Sequence, residues 1–312
     1  MYNSTMSLRI KKIITLLVAV CLISSCSTGK DETEPQMTTE TTVATPTPSP
    51  MPSPTPIPVF PEFEYEYEIS EPEIGEAEEE GSRTRLVTFY RDGNPIYGKI
   101  TVPEGEGPFK TIIISSGLYA HLGRYSGKAK RYSDYGYAVI EFHFQNGTAP
   151  SPYSDPEFLG DFIYEQVLDL YSIIDSTVYF PEIDRSNIYL YGHSMGGLVT
   201  SYTGTMRQME IKGLILVDPS FYAADIMHFE HKQTIRTDIY TLVSQCYIPV
   251  VIITGTEAFG EDPHFFDEAR ASLPDCEYIV IYGADHRMDG FASDKVVDRS
   301  VGVMKTWDAR DN

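Results

Sequence analysis

The sequence predicts an α/β protein, a mostly parallel sheet with helices on both faces, and three observations carry that expectation. The first is an antiparallel start: short strands at 86–90 and 96–102 flank Arg91-Asp92-Gly93-Asn94, a turn signal of the hairpin type. The second is a series of short apolar or aromatic runs at 111–114, 138–144, 188–191, 213–217, 250–253 and 278–281. Only Glu141 and His143 interrupt the second of them, and such runs suit strands buried on both faces. The third is helical spacing between the runs, in Phe162, Ile163, Val167, Leu170, Tyr171 and Ile174, and again in Val296, Val297, Val301, Met304 and Trp307. Strands alternating with helices give parallel pairing through crossover connections.

Upstream of this pattern the chain changes character three times. Arg9, Lys11 and Lys12 precede an apolar run at 13–23 that ends in small residues, the layout of a secretory signal over residues 1–25 and too short to span a bilayer comfortably. Its tail, Ile23-Ser24-Ser25-Cys26, resembles the lipobox of bacterial lipoproteins, which implies Cys26 as a lipid anchor and an extracytoplasmic, membrane-attached protein. Residues 26–60 are rich in Thr, Pro and Ser with almost nothing to form a core, an extended tether. Residues 61–81 form an acidic extension in which 62–69 alternate acids with apolar residues, compatible with a strand having one buried face or with a solvated acidic run. The segment 82–312 then suffices for one good-sized catalytic core.

The 45 acids outnumber the 24 Lys and Arg, for a formal net charge of −21, and three of the cations lie in the leader. Nucleic acid and other polyanions are poor partners for such a surface. The cysteines form no zinc pattern, and no metal is expected. Between Asp218 and Ile248, the connection between the sixth and seventh of these strands, Tyr222, Met227, Phe229 and Tyr240 suggest a small cap over the site, or plain packing.

Gly192-His193-Ser194-Met195-Gly196 fits G-x-S-x-G and lies between the run at 188–191 and a helix beginning near Met195. A strained strand-to-helix turn lifts a serine hydroxyl out of a sheet, so Ser194 is the candidate nucleophile. A serine needs a base, and a histidine after a late strand is the expected one; Gly283-Ala284-Asp285-His286 supplies it. His193 sits inside the elbow, and His121, His143, His228, His231 and His264 lie elsewhere. A tetrahedral intermediate needs two backbone N–H donors: that of Met195, and one from the turn Ser116-Gly117-Leu118-Tyr119, where Leu118 is preferred and Tyr119 held in reserve. Tyr119, Tyr222, His143 and Phe144 are candidate pocket residues.

From about Arg91 to Trp307 the chain resembles bacterial esterases of the α/β-hydrolase fold, of the dienelactone-hydrolase and cinnamoyl-esterase type. The resemblance lies in residues 98–105, in the serine elbow, in residues 211–216 and in residues 283–286. It implies hydrolysis of carboxylic esters through an acyl-enzyme without a cofactor. The sequence departs from that family in two places. Ser116-Gly117 replaces the usual His-Gly before the oxyanion donor, and Ala258 stands where the catalytic acid usually does. Three acids could replace it, in order of preference Asp218, which follows the run at 213–217, then Glu257, then Asp262. In this fold the runs preceded by Cys246 and Cys276 are parallel neighbours, so a disulfide is expected between them.

The leading expectation is therefore a tethered serine esterase acting on small acyl or aryl esters, or on esters of polysaccharide. The alternative is a lipoprotein that keeps the fold without turnover and serves as a binding module; Ala258 favours it, and intact Ser194 and His286 oppose it. A peptidase on the same fold would need a clamp for a peptide terminus, and the cap offers no cluster of acids or arginines for one.

Overall fold

A computed structural model describes residues 66–77, 82–148, 156–226, 239–258, 262 and 264–310. The leader, Cys26 and the tether lie outside them, as do Met227, Phe229, His228 and His231 of the expected cap. The described residues build a nine-stranded sheet in the order β1-β2-β3-β5-β4-β6-β7-β8-β9. β1 (Ile69–Ala77), β2 (Thr84–Arg91) and β3 (Asn94–Thr101) pair antiparallel, and β3 pairs antiparallel with β5 (Ala138–Phe142). From β5 onward, through β4 (Phe109–Ser115), β6 (Ile183–His193), β7 (Gly213–Val217), β8 (Val250–Glu257) and β9 (Cys276–Asp285), all pairing is parallel.

The hairpin between β2 and β3 turns on Asp92 and Gly93, both at positive φ (53° and 72°), as a tight two-residue turn requires. In the middle of the sheet, β4, β5, β7 and the bodies of β6 and β8 are buried on both faces, because helices cover both. In β6, Leu190 joins the core beneath α2 (Pro156–Ser176) and α3 (Met195–Met206), with Ile163, Leu170 and Leu198. Its neighbours Tyr189 and Tyr191 point the other way, to the core under α1 (Ser126–Asp134) and α6 (Phe291–Arg310), with Tyr132, Val297 and Trp307. β7 and β8 repeat the division, with Leu216 and Ile252 on one side and Ile215, Val217, Val251 and Ile253 on the other. Two short helices, α4 (Ile239–Val243) and α5 (Asp267–Ser272), complete the described fold.

Three sequence expectations are corrected. The strand expected at 138–144 ends at Phe142, and Phe144 turns inward, buried in the core with its ring 4.9 Å from that of Phe142. In the acidic extension, residues 62–65 of the alternating stretch lie outside the described residues, and the strand found, β1, starts at Ile69 and pairs with β2, its side chains mostly exposed. The expected disulfide is absent, and Cys246 and Cys276 are both free thiols. Cys276 opens β9 opposite Val250, while Cys246 lies four residues before Val250 in the turn after α4, with Sγ 3.9 Å from the Ile248 carbonyl oxygen.

Candidate active site

β6 delivers its last residue, His193, to a sharp bend at Ser194, where φ is 55° and ψ is −121°, and α3 starts at the next residue. Such a backbone costs on the order of 1–3 kcal/mol and persists only where its surroundings enforce it. Here the Ser194 N–H donates to the Val217 carbonyl at 2.9 Å. The elbow's glycines are steric necessities, since a Cβ on Gly192 would lie 2.4 Å from the Gly196 carbonyl oxygen and one on Gly196 2.2 Å from that of Ser115. The strand, the bend and the helix must cross within backbone contact for the serine to emerge.

His286 follows directly on β9, and its Nε2 lies 2.9 Å from Ser194 Oγ. Behind it, Asp218 Oδ2 lies 3.5 Å from His286 Nδ1. Asp218 directly follows β7 at positive φ (42°), wholly buried, with its N–H donating to the Ile253 carbonyl at 2.9 Å. Burial pushes its carboxyl above the ordinary range, while His286, the Thr254 hydroxyl and the Gly255 N–H oppose that rise. The Thr254 hydroxyl hydrogen-bonds Oδ1, which leaves Oδ2 directed at the imidazole. Glu257 and Asp262, the other two candidate acids, are both exposed. The structure therefore brings together Ser194, His286 and Asp218 from the ends of three parallel strands.

The turn after β4 runs against the elbow, and a Cβ on Gly117 would lie 3.0 Å from Ser194 Cβ. Of the two candidate donors on this turn, Tyr119 gives its N–H to the Thr148 carbonyl at 2.8 Å. The N–H groups of Leu118 and Met195 have no hydrogen-bond acceptor among the described residues. Tyr119 is held at positive φ (57°) with its side chain 56% exposed, so an aromatic face stands beside the turn. His143 is half-buried at the end of β5 with Nδ1 3.2 Å from the Phe144 carbonyl oxygen, and Tyr222 packs edge-on to Phe265 at 5.9 Å.

Sequence reasoning missed Ser220, whose Oγ lies 3.3 Å from Ser194 Oγ and whose N–H donates to the Ser194 carbonyl at 3.0 Å. Once Asp218 is accepted as an acid, the serine two residues on is the signal that could have found it. Thr254 was missed as well, because nothing in the run at 250–253 or the polar residues that follow it marks that hydroxyl as the carboxylate's partner.

A strained serine at a strand–helix elbow, a histidine within hydrogen-bond reach and a buried carboxylate behind it, on a largely parallel sheet, define a protein of the α/β-hydrolase fold. Residues 106–288 match the family described as serine aminopeptidase, S33, and the chain belongs to that family of hydrolases. No curated protein matches the chain in sequence. Among solved structures, Est1E from Butyrivibrio proteoclasticus is similar at 17% identity and a TM-score of 0.54, over 70% of this chain and 98% of that one. An acetyl xylan esterase from Paenibacillus sp. R4 is similar at 15% identity and 0.56, over 77% and 88% of the two chains. A proline iminopeptidase from Mycobacterium smegmatis is similar at 12% identity and 0.55, over 73% and 100%.

Proposed function

We propose that this hydrolase is a serine esterase that cleaves small acyl or aryl carboxylic esters, free or attached to polysaccharide, through an acyl-enzyme. The observation that carries the reading is the 2.9 Å approach of His286 Nε2 to Ser194 Oγ with the buried Asp218 behind the ring. In this mechanism His286 takes the Ser194 proton as Oγ attacks the ester carbonyl, and Asp218 steadies the imidazolium that results. The oxyanion is received by the N–H groups of Leu118 and Met195. His286 returns the proton to the departing alcohol, and a water activated by the same ring then releases the acid.

The substrate class rests on chemistry around the site and on likeness. The exposed Tyr119 ring beside the oxyanion turn suits a flat aryl or sugar group. Est1E has been solved with ferulic acid bound, and a second similar structure is an acetyl xylan esterase. A net charge of −21 disfavours anionic polymers. We place the enzyme outside the cytoplasmic membrane, anchored through acylated Cys26 and held off the surface by residues 26–60.

Parallel hydrolysis of matched aryl esters and aminoacyl anilides, by the wild type and Ser194→Ala, tests the proposal. Ester turnover that disappears in Ser194→Ala supports it. Faster cleavage of the anilides would replace it with a peptidase, and no turnover of either would favour the binding module.

A further inference from the structure

His193, the residue before the nucleophile, is buried together with Tyr125 in a chain of hydrogen bonds that ends on both halves of the site. Its Nε2 lies 2.7 Å from the backbone carbonyl oxygen of His286, its Nδ1 lies 2.8 Å from the Tyr125 hydroxyl, and that hydroxyl lies 3.3 Å from the Gly117 N–H.

The chemistry of the partners fixes the direction of every bond. A carbonyl oxygen can only accept, so His193 Nε2 carries a proton. Burial and the adjacent His286 ring hold the His193 pKa well below the ordinary range, so the ring is neutral and Nδ1 presents a lone pair. Tyr125, whose phenol burial keeps protonated, donates to that lone pair and accepts from Gly117. Tyr125 is itself tied down, since the Glu141 carboxylate accepts the N–H groups of both Gly123 and Tyr125, at 2.8 and 2.9 Å.

One end of the chain therefore grips the loop that carries the general base, and the other the turn that presents the Leu118 N–H. Resting on the esterase reading above, we infer that His193 and Tyr125 are positioning residues that set the general base and the oxyanion donor at a fixed separation around Ser194. The bonds serve the transition state: a ground-state ester does not need both groups in register, whereas the tetrahedral intermediate does.

Three variants of the full-length protein test this. Tyr125→Phe keeps the ring but cuts both of its bonds. His193→Asn keeps an acceptor near the Nδ1 position but cannot reach the His286 carbonyl. His193→Gln places an amide donor near the Nε2 position. Misplacement of reacting groups by about an ångström costs about a hundredfold. Tyr125→Phe and His193→Asn are accordingly expected to lower kcat by about ten- to a hundredfold, with KM within about threefold. The affinity for an aryl boronate, which mimics the tetrahedral intermediate, should fall by the same factor as kcat. His193→Gln should recover part of what His193→Asn loses.

Two results overturn the inference. One is kcat within about twofold of wild type in folded Tyr125→Phe and His193→Asn, a change no larger than one weak hydrogen bond. The other is a loss that merely follows the fraction of chains titratable at Ser194, which a general folding defect would produce. Absence of Ser194-dependent ester turnover in the wild type is a different failure, which removes the esterase reading and this inference with it.

Discussion

Replacing Asp218 with Asn subtracts one negative charge from the centre of the site and little volume. The carboxylate is wholly buried, and its Oδ2 stands 3.5 Å from His286 Nδ1. In the proposed mechanism His286 acquires a full positive charge in the transition state when it takes the Ser194 proton, so the attraction to Asp218 operates there and not in the resting enzyme. At that separation and an effective dielectric of about 20, the attraction is about 5 kcal/mol. At about 1.4 kcal/mol per factor of ten, that corresponds to three to four powers of ten in kcat. KM should change little, because the carboxylate lies behind the imidazole and away from the substrate. Initial rates of aryl acetate hydrolysis, with circular dichroism to verify folding, measure the effect. A folded Asp218→Asn enzyme that keeps more than about a tenth of wild-type kcat would refute the assignment, since such a loss is worth less than about 1.4 kcal/mol.

Glu257→Gln and Asp262→Asn, both on exposed side chains, should leave kcat within about twofold in the same assay. Ser220→Ala removes a hydroxyl 3.3 Å from the nucleophile and should lower kcat by about two- to tenfold, the worth of one neutral hydrogen bond. Gly196→Ala should abolish soluble expression, because its Cβ would meet the Ser115 carbonyl oxygen at 2.2 Å. Lys128, buried with Nζ donating to the Met288 carbonyl, has its pKa lowered by burial to about 8, against 10.5 for the free side chain. Between those values the unfolded chain binds a proton that the folded chain does not, so stability rises with pH across that window, by up to about 3 kcal/mol. Denaturant midpoints on either side of the window should show that rise in the wild type and a flatter dependence in Lys128→Met. The proposed anchor predicts that the wild type sediments with membranes and that Cys26→Ser moves to the soluble fraction when cell extracts are separated by centrifugation.

What the sequence made legible was whatever is encoded locally. The serine elbow could be read because its two glycines stand at fixed places within five residues, one clearing the elbow's own backbone and the other that of Ser115, and the central strands because burial on both faces leaves continuous apolar runs. β1 was harder to read, because a strand at the edge of a sheet keeps most of its side chains in water and its glutamates look like a solvated run. α1 escaped notice because the side chains it buries include Lys128 and Ser133, which break the apolar stripe. The acid could be narrowed to three residues with Asp218 preferred, but chain position does not encode which carboxylate lies behind the imidazole. Asp218 is singled out by its wholly buried position between Thr254 and His286. Both cysteines are free thiols, and adjacency of two strands does not encode whether a thiol in the connection before one of them bonds a thiol opening the other.

The central claim is that Ser194 is an activated nucleophile. Labelling the purified protein with a fluorophosphonate and mapping the modified residue by mass spectrometry tests it most directly. The geometry predicts stoichiometric label on Ser194, lost in Ser194→Ala and strongly slowed in His286→Ala. A folded wild-type protein that takes up no label, or takes it up on another residue, would contradict the claim.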